Sequence, residues 1–79
     1  MSVAVDPTQL RREMTRRGFD AAALARASRL SPATVSAALA GRRVAAYTVM
    51  AIARALADTP AMDIVDALMV ADDGAHAPR

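Results

Sequence analysis

The 79-residue chain contains no cysteine and no lysine, and its only histidine is His76, near the C-terminal end. Without cysteine, no disulfide and no thiolate metal site is expected. The histidine has no serine or carboxylate partner in a predicted helix, so nothing indicates nucleophilic or acid–base catalysis. Asp63 and Asp66 share a helix face, but two carboxylates make a poor metal site. The sequence therefore predicts a protein that is not an enzyme and has no catalytic residues, no metal and no cofactor.

Aromatic residues are also scarce, with one Phe, one Tyr and no Trp. An alanine-rich chain of this kind favours closely packed helices, because strands prefer β-branched and aromatic residues. No apolar run reaches the ~18 residues that a membrane helix needs. The first residues lack the cationic and apolar regions of a signal peptide. We therefore expect an all-α cytoplasmic protein without membrane contact.

The charges are unevenly distributed, and every basic residue is arginine. Residues 1–57 carry nine arginines and three acids, a net charge of +6, whereas residues 58–79 carry one arginine and five acids, a net charge of −4. Arginine binds phosphate in a bidentate manner, so the basic part of the chain predicts a polyanion partner. A solvated surface without a partner is the alternative.

Helix-start signals recur along the chain, each a capping residue followed by proline at the first helical position. They are Asp6-Pro7, Ser31-Pro32 and Thr59-Pro60. Together with Asp20 as a further cap, glycines as stop signals and apolar spacing, they predict a compact five-helix bundle in residues 1–71. The expected helices are 7–17, 20–27, 32–40, 46–57 and 60–71, with a loose arm at 1–5, a disordered tail at 72–79 and no sheet. The buried stripe expected on the fourth helix is Val49, Ile52, Ala53 and Leu56.

The stretch from Asp20 to Gly41 predicts a helix-turn-helix. Ala25 is small enough to let two helices cross closely, Leu30 fills the angle of the turn, and Val35 faces inward from the second helix. Their spacing fits a three-residue turn. A hairpin within an ordinary helical bundle is the alternative, but such hairpins usually have longer helices.

Residues 10–60 resemble the Cro and lambda-repressor-type (XRE-type) helix-turn-helix family. The resemblance rests on the segments LA at 24–25, LSPATVS at 30–36, GRR at 41–43 and TVMAIARAL at 48–56. Each segment is degenerate alone, but their order and spacing are fairly specific. The resemblance implies a lambda-repressor-like domain of four or five helices, of bacterial or phage type. Its usual role is sequence-specific binding of double-stranded DNA in transcription regulation, here expected to be that of a repressor.

The resemblance also implies which residues contact DNA. The predicted helix 32–40 is then the recognition helix in the major groove, and the loop after it lies where family members touch the sugar-phosphate backbone. The implied contacts are Pro32, Ala33, Thr34, Ser36 and Ala37 on the recognition helix, Arg42 and Arg43 after it, Tyr47 and Thr48 on the next helix, and Asp20 and Ala21 at a second backbone contact.

The sequence departs from the family pattern in two respects. Arg29 stands where the turn usually has glycine, and a left-handed conformation there costs ~1–2 kcal/mol. The recognition helix also has no Gln, Asn, Arg or Lys for bidentate base contacts. We therefore expect modest direct base readout, with more weight on arginine–phosphate contacts and DNA shape.

The last predicted helix has two apolar stripes, although one is enough to cover a small core. The second stripe consists of Met62, Val65 and Met69, which predicts a homodimer interface on a palindromic operator. The alternative is that this helix is more deeply buried. At the level of function, the alternative is a protein-interaction module or an antitoxin on the same helical fold, with a protein partner.

Overall fold

The computed structural model describes residues 1–61, and residues 62–79 lie outside the described part. In chain order the elements are β1 (Ser2–Ala4), α1 (Pro7–Arg17), α2 (Ala21–Ser28), α3 (Pro32–Leu39), β2 (Arg43–Ala45) and α4 (Ala46–Ala57). Pro60 and Ala61 are not helical. The rest of the helix expected at 60–71 and the tail expected at 72–79 lie outside the described residues.

Side-chain caps determine where the first three helices begin. The Asp6 Oδ1 atom accepts hydrogen bonds from the backbone of Thr8 at 3.0 Å and of Gln9 at 3.2 Å. Asp20 Oδ1 accepts a hydrogen bond from the backbone N–H of Ala23 at 2.7 Å. Ser31 Oγ likewise accepts one from the backbone N–H of Thr34, the third residue of α3. These bonds satisfy N–H groups that have no partner within the helix. Helix α2 therefore begins at Ala21, and Asp20, the first residue of the predicted range 20–27, is its cap residue as expected.

Left-handed residues end the same three helices. Gly18, Arg29 and Gly41 have φ angles of 74°, 60° and 76°. In each case the next residue donates its N–H to the carbonyl five positions back, as Leu30 does to Ala25 O at 2.9 Å. This geometry satisfies carbonyls at the helix end and turns the chain sharply. Arg29 therefore has the left-handed conformation whose cost was estimated from the sequence.

A short antiparallel sheet contradicts the prediction of a loose N-terminal arm and no sheet. Strand β1 pairs with β2 in the register Ser2↔Ala45, Val3↔Val44 and Ala4↔Arg43. Val44 is buried, and Val3 opposite it is half-buried. Three-residue strands are too short to show an alternating pattern, and the pairing joins segments about forty positions apart. The fold is mostly helical rather than all-α.

The core lies where the four described helices meet. Its buried apolar residues are Leu10, Met14, Leu24, Ala25, Val35, Ala38, Leu39, Val44, Ile52 and Ala55. The stripe on α4 differs from the expected one, because Ala53 is exposed and Thr48 is only 2% exposed. The buried residues of α4 are Thr48, Ile52 and Ala55, which follow helical spacing. A search for apolar residues alone passes over Thr48 and therefore places the buried stripe of α4 at the wrong positions.

Two arginines of α1 hold the C-terminal ends of other helices. The Arg17 Nε atom donates to Leu56 O at 2.8 Å and to Thr59 O at 2.7 Å. Arg11 Nη2 donates to Leu39 O at 3.1 Å, at the end of α3. Cations and donors at this end of a helix satisfy free carbonyls and interact favourably with the dipole. These arginines therefore join α1 to α3 and α4.

Glu13 completes the arginine cluster on α1. Its carboxylate accepts a hydrogen bond from Arg17, and this bond holds the pKa of Glu13 below its ordinary value, with the charges of Arg16, Arg17 and Arg12 adding to the effect. The Arg17 side chain is only 15% exposed. The guanidinium is thus held between its own helix and the end of α4.

Replacing Arg29 by glycine is expected to raise the melting temperature. Glycine removes ~1–2 kcal/mol of left-handed strain but adds ~0.4–1 kcal/mol of conformational entropy to the unfolded chain. The net gain should be about 0.5 kcal/mol or slightly more, measured by thermal unfolding followed by circular dichroism. Arg26→Gly, inside α2, is the control and should lower stability by ~1 kcal/mol. An equal loss in both variants would contradict the role of the left-handed turn.

Candidate nucleic-acid interface

The crossing of α2 and α3 is built from small and apolar side chains. Ala25 on α2 is 4% exposed, and Val35 on α3 is fully buried. Leu30 lies between the helices and packs against the core from a half-buried position. The small side chain of Ala25 lets the two backbones approach, and Leu30 fills the angle between them. This packing fixes the direction in which α3 projects from the domain.

The outward side of α3 presents small side chains. Pro32, Ala33 and Ser36 are exposed, whereas Thr34 and Ala37 are half-buried. Of these five predicted contact residues, Ala37 packs partly against the core. An exposed helix surface without long side chains can come close to the floor of a groove.

Thr34 makes a local hydrogen bond that limits what it can read. Its Oγ1 atom lies 2.8 Å from Ser31 Oγ, so the two hydroxyls are paired. Ser31 Oγ also accepts the backbone N–H of Thr34 at 3.1 Å. Ser36 makes no side-chain hydrogen bond within residues 1–61, and its hydroxyl is therefore the freer polar group on this surface.

The two arginines after α3 have different surroundings. Both are exposed, but Arg43 belongs to β2 rather than to a loop, contrary to the prediction. Its Nε atom donates to Ser2 Oγ at 3.1 Å, and its Nη2 atom donates to Ser2 O at 2.5 Å. The Arg42 side chain makes no hydrogen bond or ion pair within the described residues. Arg42 is thus the more available cation.

The start of α4 contributes one of its two predicted contact residues. Tyr47 is 71% exposed, so its hydroxyl is available to a ligand. Thr48 is 2% exposed, and its side chain belongs to the core-facing stripe of α4. A side chain in that position has no route to a phosphate, and the expected role of the Thr48 side chain is corrected accordingly.

At the start of α2, the side chain of Asp20 and the main chain at Ala21 differ in their suitability for binding a phosphate. Asp20 and Ala21 are both exposed. The Asp20 carboxylate caps the helix through Ala23 N, and its negative charge disfavours a phosphate nearby. Ala21, at the first helical position, has no side chain that obstructs approach to the backbone N–H groups. A phosphate contact here would use the main chain.

Positive charge predominates over the described residues. Residues 1–61 contain nine arginines and four acids, a net charge of +5. The ion pairs found in that range are both made by Glu13, with Arg16 at 3.4 Å and with Arg17 at 2.5 Å. The remaining arginines are not neutralised by these contacts. Such a surplus attracts polyanions by steering and by direct contact.

A groove between α2 and α4 was not anticipated from the sequence. It has a volume of about 750 Å³ and includes Arg29, Tyr47, Met50 and Arg54 in its lining. Met50 is 72% exposed, close to the value for Tyr47. Residues 47, 50 and 54 follow helical spacing and therefore lie on one side of α4, away from its buried stripe. In the sequence, the two large apolar side chains on that side, Tyr47 and Met50, are the feature that could have indicated the groove.

No cluster of three metal-ligating side chains is found in residues 1–61. Within the same range, the helices are all too short or too polar to cross a membrane. No curated protein and no solved structure matches the chain.

The comparison with protein families gives a match over most of the chain. The model of the Cro/C1-type HTH DNA-binding domain matches residues 9–67. This range contains α2, α3 and α4, all of α1 except its first two residues, and the turn at Arg29. The resemblance inferred from the sequence is thereby confirmed: the chain belongs to the family of Cro/C1-type helix-turn-helix DNA-binding domains.

Proposed function

We propose that this DNA-binding regulator is a sequence-specific transcriptional repressor that acts as a homodimer on a palindromic operator. The observation that carries the proposal is the exposed, small-residue surface of α3, with Arg42 beyond its C-terminal end making no side-chain hydrogen bond or ion pair within residues 1–61. Membership of the Cro/C1-type family supports DNA as the partner. A cytoplasmic location agrees with that role.

In the proposed complex, α3 enters the major groove. Pro32 and Ala33 offer apolar contact, which suits thymine methyl groups, and Ser36 offers a hydroxyl that bonds to more than one base. No side chain on this surface makes the bidentate contacts that discriminate most strongly. Sequence-dependent shape and deformability of the duplex would therefore supply a large part of the specificity.

Contacts to the DNA backbone would set the register of α3 in the groove. Arg42 offers a bidentate guanidinium, Tyr47 a hydroxyl, and the N-terminus of α2 at Ala21 offers N–H groups. Arg42 directly precedes β2, Tyr47 is the second residue of α4, and Ala21 is the first residue of α2. Phosphate contacts carry no sequence information themselves, but they determine which bases α3 can reach.

Affinity for duplex DNA is expected to fall at least about tenfold between 50 mM and 200 mM salt, because each phosphate neutralised by an Arg42 side chain of the dimer releases counterions. Fluorescence anisotropy with a labelled duplex measures this dependence. Ser36→Glu should abolish binding, since it places a carboxylate on the groove-facing side of α3. Ala57→Glu, at the exposed C-terminal end of α4, is the control and should change affinity by less than about threefold. Equal losses in the two variants would place the interface elsewhere.

The homodimer is proposed from the second apolar stripe, which lies outside the described residues. Met62, Val65 and Met69 follow helical spacing, and methionine side chains adapt well to a self-complementary contact. Two linked domains bind a palindrome more tightly than one domain binds a half-site. The half-site centres would then lie ~10 bp apart.

The double variant Met62→Glu, Met69→Glu is expected to be monomeric, because four like charges would meet in the two-fold contact. Analytical ultracentrifugation measures the mass. Ala75→Glu with Ala77→Glu adds the same charge outside the stripe and should leave a dimer. A monomeric wild type, with no change in the double variant, would contradict the dimer.

A protein-interaction module or an antitoxin remains the second candidate, and the groove between α2 and α4 favours it. Tyr47 and Met50 are large, exposed and adjacent in that groove. An apolar protein contact there would respond little to salt, unlike binding to phosphates. Salt dependence of the measured interaction therefore separates the two functions.

A further inference from the structure

Helix α4 begins without a side-chain cap, unlike the other described helices. Its N-cap residue is Ala45, which has no capping hydrogen bond. The N–H of Ala46 instead donates to the carbonyl oxygen of Met1 at 3.1 Å. The main chain beside β1 therefore satisfies one free N–H group at the start of α4, that of its first residue.

The Arg43 side chain lies across the outward side of the small sheet. Ser2, Ala4, Arg43 and Ala45 alternate with the valine pair and so share this side. The two alanines leave room for the long side chain. Both hydrogen bonds of the guanidinium go to Ser2, one to its hydroxyl and one to its carbonyl.

These contacts tie β1 to the segment that carries the DNA-contact candidates. Arg42 directly precedes β2, and Tyr47 is the second residue of α4. Three sets of contacts hold both ends of the segment between α3 and α4. They are the pairing of β1 with β2, the Ala46–Met1 hydrogen bond and the Arg43–Ser2 hydrogen bonds. Loss of β1 would release all three constraints together and expose Val44, now 8% exposed.

We propose that Arg43 is a positioning residue that fixes this segment through β1, and that Arg42 is the direct phosphate ligand. In the sequence, the two adjacent arginines are equivalent candidates for binding phosphate. In the structure, their different contacts distinguish them. Two donors of Arg43 are already bonded within the protein, and the Arg42 side chain has no such bond in residues 1–61. The proposal rests on the proposed DNA binding and assigns different roles within that site.

Matched glutamine variants test the proposal through salt dependence. Arg42→Gln removes one phosphate-binding cation from each protomer, so the slope of log K against log[salt] should become shallower by ~0.9 per protomer, or ~1.8 for the proposed dimer. Arg43→Gln keeps an N–H donor for Ser2 without the charge and should leave the slope unchanged. Arg43→Ala removes the donor as well, and its affinity should fall about tenfold at every salt concentration, with the wild-type slope. A shallower slope in both Arg43 variants would overturn the assignment.

A second experiment breaks the strand from the other side. Val3→Pro removes a backbone donor at the centre of β1 and should reproduce the Arg43→Ala phenotype. In the double variant Val3→Pro, Arg43→Ala, the losses should not add, because both changes release the same segment. Additive losses, or wild-type affinity in Val3→Pro, would contradict the positioning role.

Hydrogen exchange of the Ala46 amide, measured without DNA, separates this proposal from the proposed function. Exchange should accelerate at least about tenfold in Arg43→Ala and remain at the wild-type rate in Arg42→Ala. Unchanged exchange in Arg43→Ala would overturn the coupling even if the protein binds DNA. Accelerated exchange in a protein that binds no duplex would instead refute the DNA-binding function and, with it, the assignment of Arg42.

Discussion

The left-handed turn between α2 and α3 is the constraint on which the interface depends. Only three residues separate the two helices, and the chain reverses there because Arg29 has a φ of 60°. The bond from Leu30 N to Ala25 O closes the end of α2, and the same two residues pack at the crossing. Backbone geometry and core packing therefore support one orientation of α3. A non-glycine residue in this position stores strain that the surrounding contacts must offset.

Some arginines of this domain are hydrogen-bonded within the protein, and others are exposed and can bind a ligand. The contacts of each side chain show to which group it belongs. Arg11 and Arg17 bind helix-end carbonyls, and Arg43 binds Ser2 across the sheet. The net charge of the described residues consequently overstates the charge free to meet a phosphate backbone. Arg42, just beyond the C-terminal end of α3, has no such bond within the described residues. A composition-based argument for nucleic-acid binding finds the right partner class but does not identify the contacting residues.

Local signals made much of the helical framework predictable. Asp6-Pro7 and Ser31-Pro32 begin helices through hydrogen bonds to residues two or three positions away, which is why these two helix starts can be predicted from short sequence patterns. The pairing of β1 with β2 was not predictable, because its stabilisation comes from contacts about forty positions apart and its strands have three residues each.

The candidate site was predictable to a similar extent. The outward positions of α3 follow from helical periodicity, but Thr48 was misplaced because a polar residue occupies the core side of α4. The pairing of Thr34 with Ser31 and of Arg43 with Ser2 depends on side-chain geometry that a sequence pattern does not contain. The groove around Tyr47 and Met50 does not follow from the sequence pattern, since isolated apolar residues on a protein surface are common.

Selection of binding sites from a pool of random duplexes, followed by sequencing of the retained pool, tests the central claim most directly. An operator-binding dimer should recover an inverted repeat with ~10 bp between half-site centres. Its bases opposite α3 should change when Ser36 is replaced by alanine. Recovery of AT-rich duplexes without a motif would indicate an architectural protein that reads shape alone. No enrichment, even at low salt, would contradict the DNA-binding function.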